Sequence, residues 1–182
     1  AALIDPAGDF DDIFEVVSRN GALVRYIINS HGHWDHTSGN AHAAKRTGAT
    51  LLVHDADAEH ARSVPNRILS LARGGGVSAG PVRLLHGGEA IPLGSRELKI
   101  IHTPGHTPGN LAFYFREAEV LFLGDYDLTP FGPWYGDLYS DIDQTIESIR
   151  RLKAIPARVW LAGHETGLFT QTPEELWTRY ED

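Results

Sequence analysis

The sequence predicts an α/β fold, a four-layer α-β-β-α sandwich in which helices cover the outer faces of two β-sheets. Strand and helix patterns alternate at both ends of the chain, and a run of short strands lies between them. That density of strands favours two sheets over one. At 182 residues the chain is expected to form a single domain over residues 1–182, large enough to bury a sizeable core.

The first half of the chain predicts strands that are each followed by a helix. Apolar segments indicate strands at 2–5, 24–29 and 50–53, and amphipathic patterns indicate helices at 9–20, 37–47 and 55–73. Gly21 and Gly48 follow the first two helices, as helix-ending glycines commonly do. The third helix is expected to break near Pro65.

The second half predicts a β-meander followed by a helix and a further strand. The meander strands are predicted at 82–85, 89–91, 98–102, 110–115 and 120–123. Residues 141–155 then form a helical pattern with one apolar face, made of Ile142, Ile146, Ile149 and Leu152. A strand at 159–162 and a closing helix from Pro173 complete the prediction.

Composition excludes several classes of partner. The 42% hydrophobic and 22% charged content is ordinary for a soluble protein, and no run of about 18 apolar residues could span a membrane. A net charge of −8 disfavours nucleic acid, which needs clustered Lys and Arg. We expect a cytoplasmic protein with a small-molecule substrate. Because the chain begins almost inside a strand without an initiator methionine, we also expect that an N-terminal strand or two are missing.

Residues 31–36, with the sequence HGHWDH, hold three imidazoles and one carboxylate on a predicted strand-to-helix loop. Alternate side chains of such a loop can converge on one cavity, and these residue types are zinc ligands. The chain has no Cys, so any metal must be held by His and carboxylates. The four candidate ligands here are His31, His33, Asp35 and His36.

Four motifs together resemble the metallo-β-lactamase superfamily, including its glyoxalase II branch. They are HGHWDH (31–36), HTPGHTPGN (102–110), LFLGD (121–125) and LAGHE (161–165). The resemblance covers Ala2 to about Glu165 and implies the metallo-β-lactamase fold. It assigns one metal to His31, His33 and His106 and the other to Asp35, His36 and His164. Asp125 would bridge the pair, with one oxygen on each ion.

The resemblance implies a dinuclear hydrolase that uses a metal-bound hydroxide on a small thioester, ester or lactone. Two divalent cations are expected, Zn first, with Fe or Mn as alternatives. Asp35 would both bind the second metal and orient the attacking hydroxide, which makes it the predicted catalytic residue. Partners that orient the imidazoles are also required, and Ser30, Thr103, Thr107 and Glu165 are candidates.

Other branches of the superfamily stay open as alternatives. β-Lactamases lack an aspartate in the role of Asp125, so β-lactam hydrolysis is the less favoured of these. Persulfide dioxygenases share the first motif but use a single iron, which His31, His33 and His106 can hold. Glyoxalase II carries a further helical domain and a second histidine where this chain has Asn110. We therefore expect a substrate other than a glutathione thioester.

The aromatic residues after Asp125 admit two interpretations. Residues 126–139 contain Tyr126, Phe131, Trp134, Tyr135 and Tyr139 in a loop rich in Pro and Gly. They either line a substrate pocket or pack the loop on the next helix. Trp34 in the metal loop carries the same two interpretations.

The remaining histidines are not predicted ligands. His102 is expected to pack at a strand end. The other four are isolated in sequence and are expected on the surface or in the core: His42, His54, His60 and His86.

Overall fold

The computed structural model describes residues 1–7, 11–58, 80–128, 132–164, 167–170 and 177. The chain divides into two compact units, Ala1–His86 and Gly87–Asp182. Each unit is built on its own β-sheet, so the prediction of two sheets is confirmed. Among the described residues, no helix combines the length and apolar character needed to cross a membrane.

The first unit contains a four-stranded, fully parallel sheet with the strand order β1-β2-β3-β4. The strands are β1 Ala2–Ile4, β2 Tyr26–Ile28, β3 Thr50–His54 and β4 Val82–Leu85. The helices are α1 Asp11–Arg19, α2 Trp34–Thr37, α3 Asn40–Thr47 and α4 Asp55–Ala58. Parallel strands need such crossover segments, which explains the alternation seen in the sequence.

The core of the first unit lies between its sheet and its helices. Helix α1 contributes Phe14, which is 6% exposed, and α3 contributes Ala43 and Ala44. They pack with Leu3, Val24, Ile27, Ala49 and Leu51. Helix α3 ends at Gly48, whose φ of 68° is the left-handed conformation predicted for this glycine.

Two predictions for the first unit are wrong in detail. The pattern at 37–47 gives two helices, α2 and α3, and α2 begins inside the histidine motif at Trp34. Strand β4 belongs to the parallel sheet, paired with β3, and not to the meander. Its short apolar pattern is compatible with either sheet, so the sheet to which β4 belongs is determined by its pairing with β3. The predicted helix beyond residue 58, with its break near Pro65, lies outside the described residues.

The second unit contains a six-stranded mixed sheet with the strand order β10-β9-β8-β7-β6-β5. The strands are β5 Ala90–Leu93, β6 Arg96–His102, β7 Leu111–Phe115, β8 Val120–Phe122, β9 Val159–Leu161 and β10 Leu168–Phe169. A 3-10 turn, Arg116–Ala118, joins β7 to β8. Strands β5 to β8 form the predicted antiparallel meander. Among the described strands of this sheet only β8 and β9 pair in parallel, and α5 Ile142–Lys153 lies between them in the chain.

Helix α5 is capped at its N-terminus by Asp141, whose carboxylate accepts a hydrogen bond from the Gln144 N–H at 3.0 Å. Ile149 and Leu152 are buried as predicted, but Ile142 is 49% exposed, so the predicted face is wrong at its first residue. Thr145 and Ser148 are buried instead. The core packed against this face comprises Ala112, Tyr114, Leu121, Leu123, Tyr126, Leu128, Trp160 and Trp177. The predicted helix start at Pro173 lies outside the described residues.

Candidate functional site

The four candidate ligands of the first unit follow β2, at the carboxyl edge of its parallel sheet. Ile4, Ile28 and Leu52 are aligned across β1, β2 and β3. Because parallel strands end at the same edge, the residues after each strand are neighbours. Asp5 follows β1, Ser30 and His31 follow β2, and Asp57 lies just beyond β3. The sheet therefore gathers the polar side chains that surround the histidine motif.

The imidazoles of this motif are in mutual contact. The Nε2 atom of His31 lies 2.9 Å from the Nδ1 atom of His33, and their rings are nearly perpendicular at 86°. The His31 and His36 ring centroids are 4.1 Å apart. The Asp35 carboxylate lies 3.9 Å from His36 Nε2. The first unit thus brings all four of its predicted ligands together.

Asp5 is hydrogen-bonded to this cluster through three donors. One carboxylate oxygen accepts from the Ser30 N–H at 2.7 Å, and the other accepts from the Ser30 hydroxyl. The second oxygen also lies 3.0 Å from Nδ1 of His36. Ser30 Oγ in turn lies 3.0 Å from Nδ1 of His31. One carboxylate therefore holds His36 directly and His31 through Ser30, with Nδ1 of each imidazole facing an oxygen atom.

The backbone of the motif is also fixed from several sides. The Gly32 N–H donates to Asp57 at 2.9 Å, and the Asp57 side chain is 1% exposed. The Thr37 hydroxyl donates to the His33 carbonyl, and the Asn29 amide donates to the His36 carbonyl, each at 2.9 Å. These bonds limit the motion of the loop that carries the imidazoles.

The three candidate ligands of the second unit follow strands that run in the same direction. His106 lies four residues after β6, Asp125 three after β8 and His164 three after β9. The Oδ2 atom of Asp125 lies 3.3 Å from Nε2 of His106 and 3.4 Å from Nε2 of His164. The second unit thus brings all three of its predicted ligands together around one carboxylate oxygen.

His106 is oriented by the loop that precedes α5. Its Nδ1 lies 2.6 Å from the carbonyl oxygen of Trp134, so the Nδ1 proton is donated there and Nε2 is left to face Asp125. The Ser140 hydroxyl donates to the His106 carbonyl at 2.9 Å. Gly105 has a φ of +135°, and a Cβ built on it would lie 2.4 Å from the Thr145 backbone nitrogen. Only glycine fits at this position, because the backbone of the His106 turn packs directly against α5.

Comparison with known proteins decides the family. A family model described as the metallo-beta-lactamase superfamily matches residues 1–164. The chain belongs to the metallo-beta-lactamase superfamily. The motif resemblance and the predicted α/β fold of this superfamily are thereby confirmed.

Among the relatives is a hydroxyacylglutathione hydrolase of Rhodospirillum rubrum, which is 30% identical over 166 residues. The match covers 90% of this chain and 57% of that relative, so the chain spans little more than half the length of the relatives it matches.

Two solved structures share the superfamily fold. A crystal structure of TTHA1623 in a di-iron-bound form has a TM-score of 0.76 and 25% identity, covering 92% of this chain and 82% of that one. The crystal structure of BLEG-1 B3 metallo-beta-lactamase has a TM-score of 0.81 and 23% identity, covering 96% of this chain and 88% of that one. The second likeness concerns the fold alone.

Tyr126 supports the His106 turn of this superfamily member from inside the core. Its hydroxyl is shared between the carbonyls of Thr103 and Pro104, each at 2.9 Å. Burial, which outweighs the hydrogen bonds around the ring, raises the pKa of Tyr126 to about 12. The phenol is thus a neutral structural donor, and the interpretation as pocket lining is wrong for this residue.

The other aromatic residues of this segment differ in exposure. Trp134 and Tyr135 are 52% and 59% exposed, and Tyr139 is partly exposed. Phe131 lies outside the described residues. Packing of the loop on α5 therefore does not account for Trp134 and Tyr135.

The candidate orienting residues give different outcomes. Ser30 contacts His31 as predicted. Thr103 instead accepts a hydrogen bond from the Asn110 side-chain amide at 2.9 Å, so it stabilises its own turn. Glu165 lies outside the described residues.

The histidines that were set aside have other contacts. His54 Nδ1 and His86 Nδ1 lie 3.0 Å and 3.3 Å from the two carboxylate oxygens of Asp55. His102 Nε2 lies 2.9 Å from the Pro108 carbonyl. His60 lies outside the described residues.

Sequence reasoning missed three groups that orient the motif residues of this superfamily fold. They are the carboxylates of Asp5 and Asp57 and the backbone carbonyl of Trp134. A signal existed for Asp5, a carboxylate directly after a buried strand. None existed for Trp134, because any residue at that position supplies a carbonyl.

Proposed function

We propose that this chain is a metal-dependent hydrolase that cleaves a small acyl thioester. The observation that carries the proposal is the arrangement of imidazoles in the two units. His31, His36 and His106 each have an oxygen atom within hydrogen-bonding distance of Nδ1, which favours the tautomer with its proton on Nδ1 and makes Nε2 the nitrogen that could bind a metal ion. Membership in the superfamily and the hydroxyacylglutathione hydrolase relatives favour a thioester among the predicted carbonyl substrates.

The donor set fits two divalent cations. Five imidazoles and two carboxylates, with no thiolate, suit Zn²⁺, Fe²⁺ or Mn²⁺. We assign His31, His33 and His106 to one ion and Asp35, His36 and His164 to the other. Zn is our first choice, and the di-iron form of TTHA1623 supports Fe as the alternative.

Asp125 is the group proposed to be shared by the two ions. Two neighbouring cations repel each other strongly, so an anionic ligand between them is favourable. Both His106 and His164, which we assign to different ions, approach the same atom of Asp125, Oδ2. The Asp125 carboxylate would therefore be held in common by the two ions, and its negative charge would offset part of their repulsion.

When bound, the two cations supply Lewis acidity, which polarises the thioester carbonyl and makes a water molecule acidic near neutral pH. Asp35 is the predicted catalytic residue because its carboxylate, 32% exposed, can accept a hydrogen bond from the attacking water and orient it. Addition of water across the acyl carbon–sulfur bond yields a carboxylic acid and a free thiol. No nucleophilic side chain is required.

The test combines metal analysis with a matched substrate panel. Purified protein is loaded with Zn, Mn or Fe, and metal content is measured by mass spectrometry. Acetyl thioesters of glutathione and of N-acetylcysteamine, an ester, a lactone and a β-lactam are then assayed. We expect about two metal ions per chain and thioester cleavage, with the non-glutathione thioester preferred.

Several results would contradict the proposal. Less than one bound metal, or no turnover of any thioester after loading with each metal, overturns it. Oxygen consumption with a persulfide and a single iron would favour the dioxygenase alternative, and β-lactam cleavage alone would favour that branch. Faster cleavage of the glutathione thioester would contradict only the expectation about the thiol.

A further inference from the structure

The loop before α5 exposes two neighbouring aromatic side chains. Trp134 is 52% exposed and Tyr135 is 59% exposed, whereas Tyr126 a few residues earlier is fully buried. Leu138, in the same loop, is exposed as well. Three exposed large apolar side chains within five residues of one loop mark a binding site more often than a single exposed residue does.

The indole of Trp134 is fixed although it is half exposed. A Cβ built on Gly136 would lie 2.5 Å from Cζ2 and 3.0 Å from Cε2 and Cη2 of Trp134. The ring therefore lies directly against the backbone of Gly136, where only a hydrogen atom fits. A ring held in this way loses little conformational entropy when a ligand packs on it.

Trp134 is also hydrogen-bonded, through its backbone carbonyl, to the candidate metal ligand His106. The Trp134 carbonyl is hydrogen-bonded to Nδ1 of His106 at 2.6 Å. Given covalent and hydrogen-bond geometry, the centre of the indole lies within roughly 11 Å of Nε2 of His106. An acyl group that carries a ring a few bonds from its carbonyl can span such a distance.

The charges of the loop restrict which part of a substrate it can bind. Residues 132–143 contain Asp137, Asp141 and Asp143 and neither Lys nor Arg. Hydrogen bonds from the backbone and side chain of Gln144 lower the pKa of Asp141, which keeps this carboxylate charged. An acidic loop repels the carboxylates or phosphates of a thiol carrier, which argues against an anionic group at the two rings.

We propose that Trp134 and Tyr135 form an aromatic platform that binds an aromatic acyl group, so that the substrates are arylalkanoyl thioesters. This inference rests on the proposed function. The reaction adds the hydroxyl of water to the acyl carbon, breaks the carbon–sulfur bond and delivers the remaining proton to the thiolate. The products are an arylalkanoic acid and a thiol. Aromatic stacking supplies the selectivity.

The experiment compares phenylacetyl and acetyl thioesters of the same thiol, N-acetylcysteamine, on the metal-loaded chain. We expect the kcat/KM for the phenylacetyl thioester to exceed that for the acetyl thioester by tenfold or more. Trp134→Ala, which keeps the carbonyl bound to His106, should lower this ratio about tenfold, and Trp134→Phe should restore most of it. Gly136→Ala should also lower the ratio, because it displaces the indole without removing it.

Leu168→Ala serves as the control, since Leu168 is a half-exposed apolar residue of β10 outside the loop. Its ratio should equal that of the wild type. A wild-type ratio below two, or a ratio that Trp134→Ala leaves unchanged at normal metal content, overturns the platform. If no thioester is cleaved, the proposed function fails, and calorimetry with neutral phenylacetamide and acetamide tests the platform separately. Absence of phenylacetamide binding, or binding that Trp134→Ala does not weaken, then overturns it.

Discussion

Replacement of Asp5 by asparagine should weaken metal binding more than any other single change outside the candidate ligands. The Asp5 carboxylate accepts three hydrogen bonds, from the Ser30 N–H, from the Ser30 hydroxyl and from Nδ1 of His36. The side chain is 8% exposed, so water cannot replace these bonds easily. An amide keeps one acceptor for the Ser30 N–H. Its NH₂ group replaces the second carboxylate oxygen, which accepts hydrogen bonds from the Ser30 hydroxyl and from Nδ1 of His36.

The size of the effect follows from the two lost contacts. Each hydrogen bond to a charged acceptor contributes about 1.5–3 kcal/mol, and rotation of the Ser30 hydroxyl recovers part of that. We therefore expect the free energy of unfolding of the metal-free protein to fall by roughly 2–4 kcal/mol. The NH₂ group also favours the His36 tautomer that carries its proton on Nε2, the atom needed for a metal. Metal affinity should consequently fall by about 10- to 100-fold.

The assay is a competition titration with a chelator, combined with urea unfolding of the metal-free protein. Asp12→Asn is the matched control, because Asp12 is an exposed carboxylate in the first turn of α1. That variant should change stability by no more than about 0.5 kcal/mol and leave metal affinity unchanged. An Asp5→Asn protein with wild-type metal affinity would refute the reasoning that Asp5 sets the His36 tautomer.

Three further predictions concern the second unit. Asp125→Asn should leave a folded protein with about one metal per chain and activity lowered by a hundredfold or more, and two tightly bound metals with normal activity would disprove the bridging role. Because burial raises the pKa of Tyr126 to about 12, the fold keeps the neutral phenol and stability is unaffected below pH 10. The free energy of unfolding, measured with urea, should fall by up to about 2–3 kcal/mol between pH 10 and 12. A Tyr126→Phe protein that loses the same amount over this pH range would contradict this prediction. Gly105→Ala should lower the free energy of unfolding by about 2–5 kcal/mol, because the new Cβ would clash with Thr145. Gly21 serves as the control: with a φ of +58° and open space around it, Gly21→Ala should lower the same quantity by only about 1 kcal/mol.

The sequence predicted most of the strands and helices because their patterns are local. Strand β3 and helix α5 follow from apolar periodicity, and the turn at Gly48 from the need for a left-handed residue. The sheet to which β4 belongs could not be predicted in this way. Four residues with three exposed side chains carry no pattern that separates a parallel edge strand from a meander strand. Pairing with β3 decides it, and pairing is a property of the whole chain.

The candidate ligands could be predicted because they occur in contiguous motifs, whereas the groups that orient them could not. Asp5 is 31 residues from His36 in the chain, and only the parallel register of β1 and β2 brings them together. The backbone of Asp5 has a φ of +44°, a conformation that Asp tolerates better than most residues. Every residue has a backbone carbonyl, so the identity of residue 134 does not predict the contact between the Trp134 carbonyl and His106. That contact follows only from the three-dimensional structure.

Burial separates the seven candidate ligands into two groups. His31, His36, His106 and Asp125 are at most 7% exposed, and each of the three imidazoles is held at Nδ1 by a different kind of oxygen. Of these three oxygens only the carboxylate oxygen belongs to a charged group, and a carboxylate acceptor raises the basicity of the opposite imidazole nitrogen the most. His36 should therefore be the strongest imidazole donor. His33, Asp35 and His164 are more exposed. In the proposed assignment each ion would therefore have both buried and accessible ligands, and Asp35, the proposed catalytic residue, is among the accessible ones.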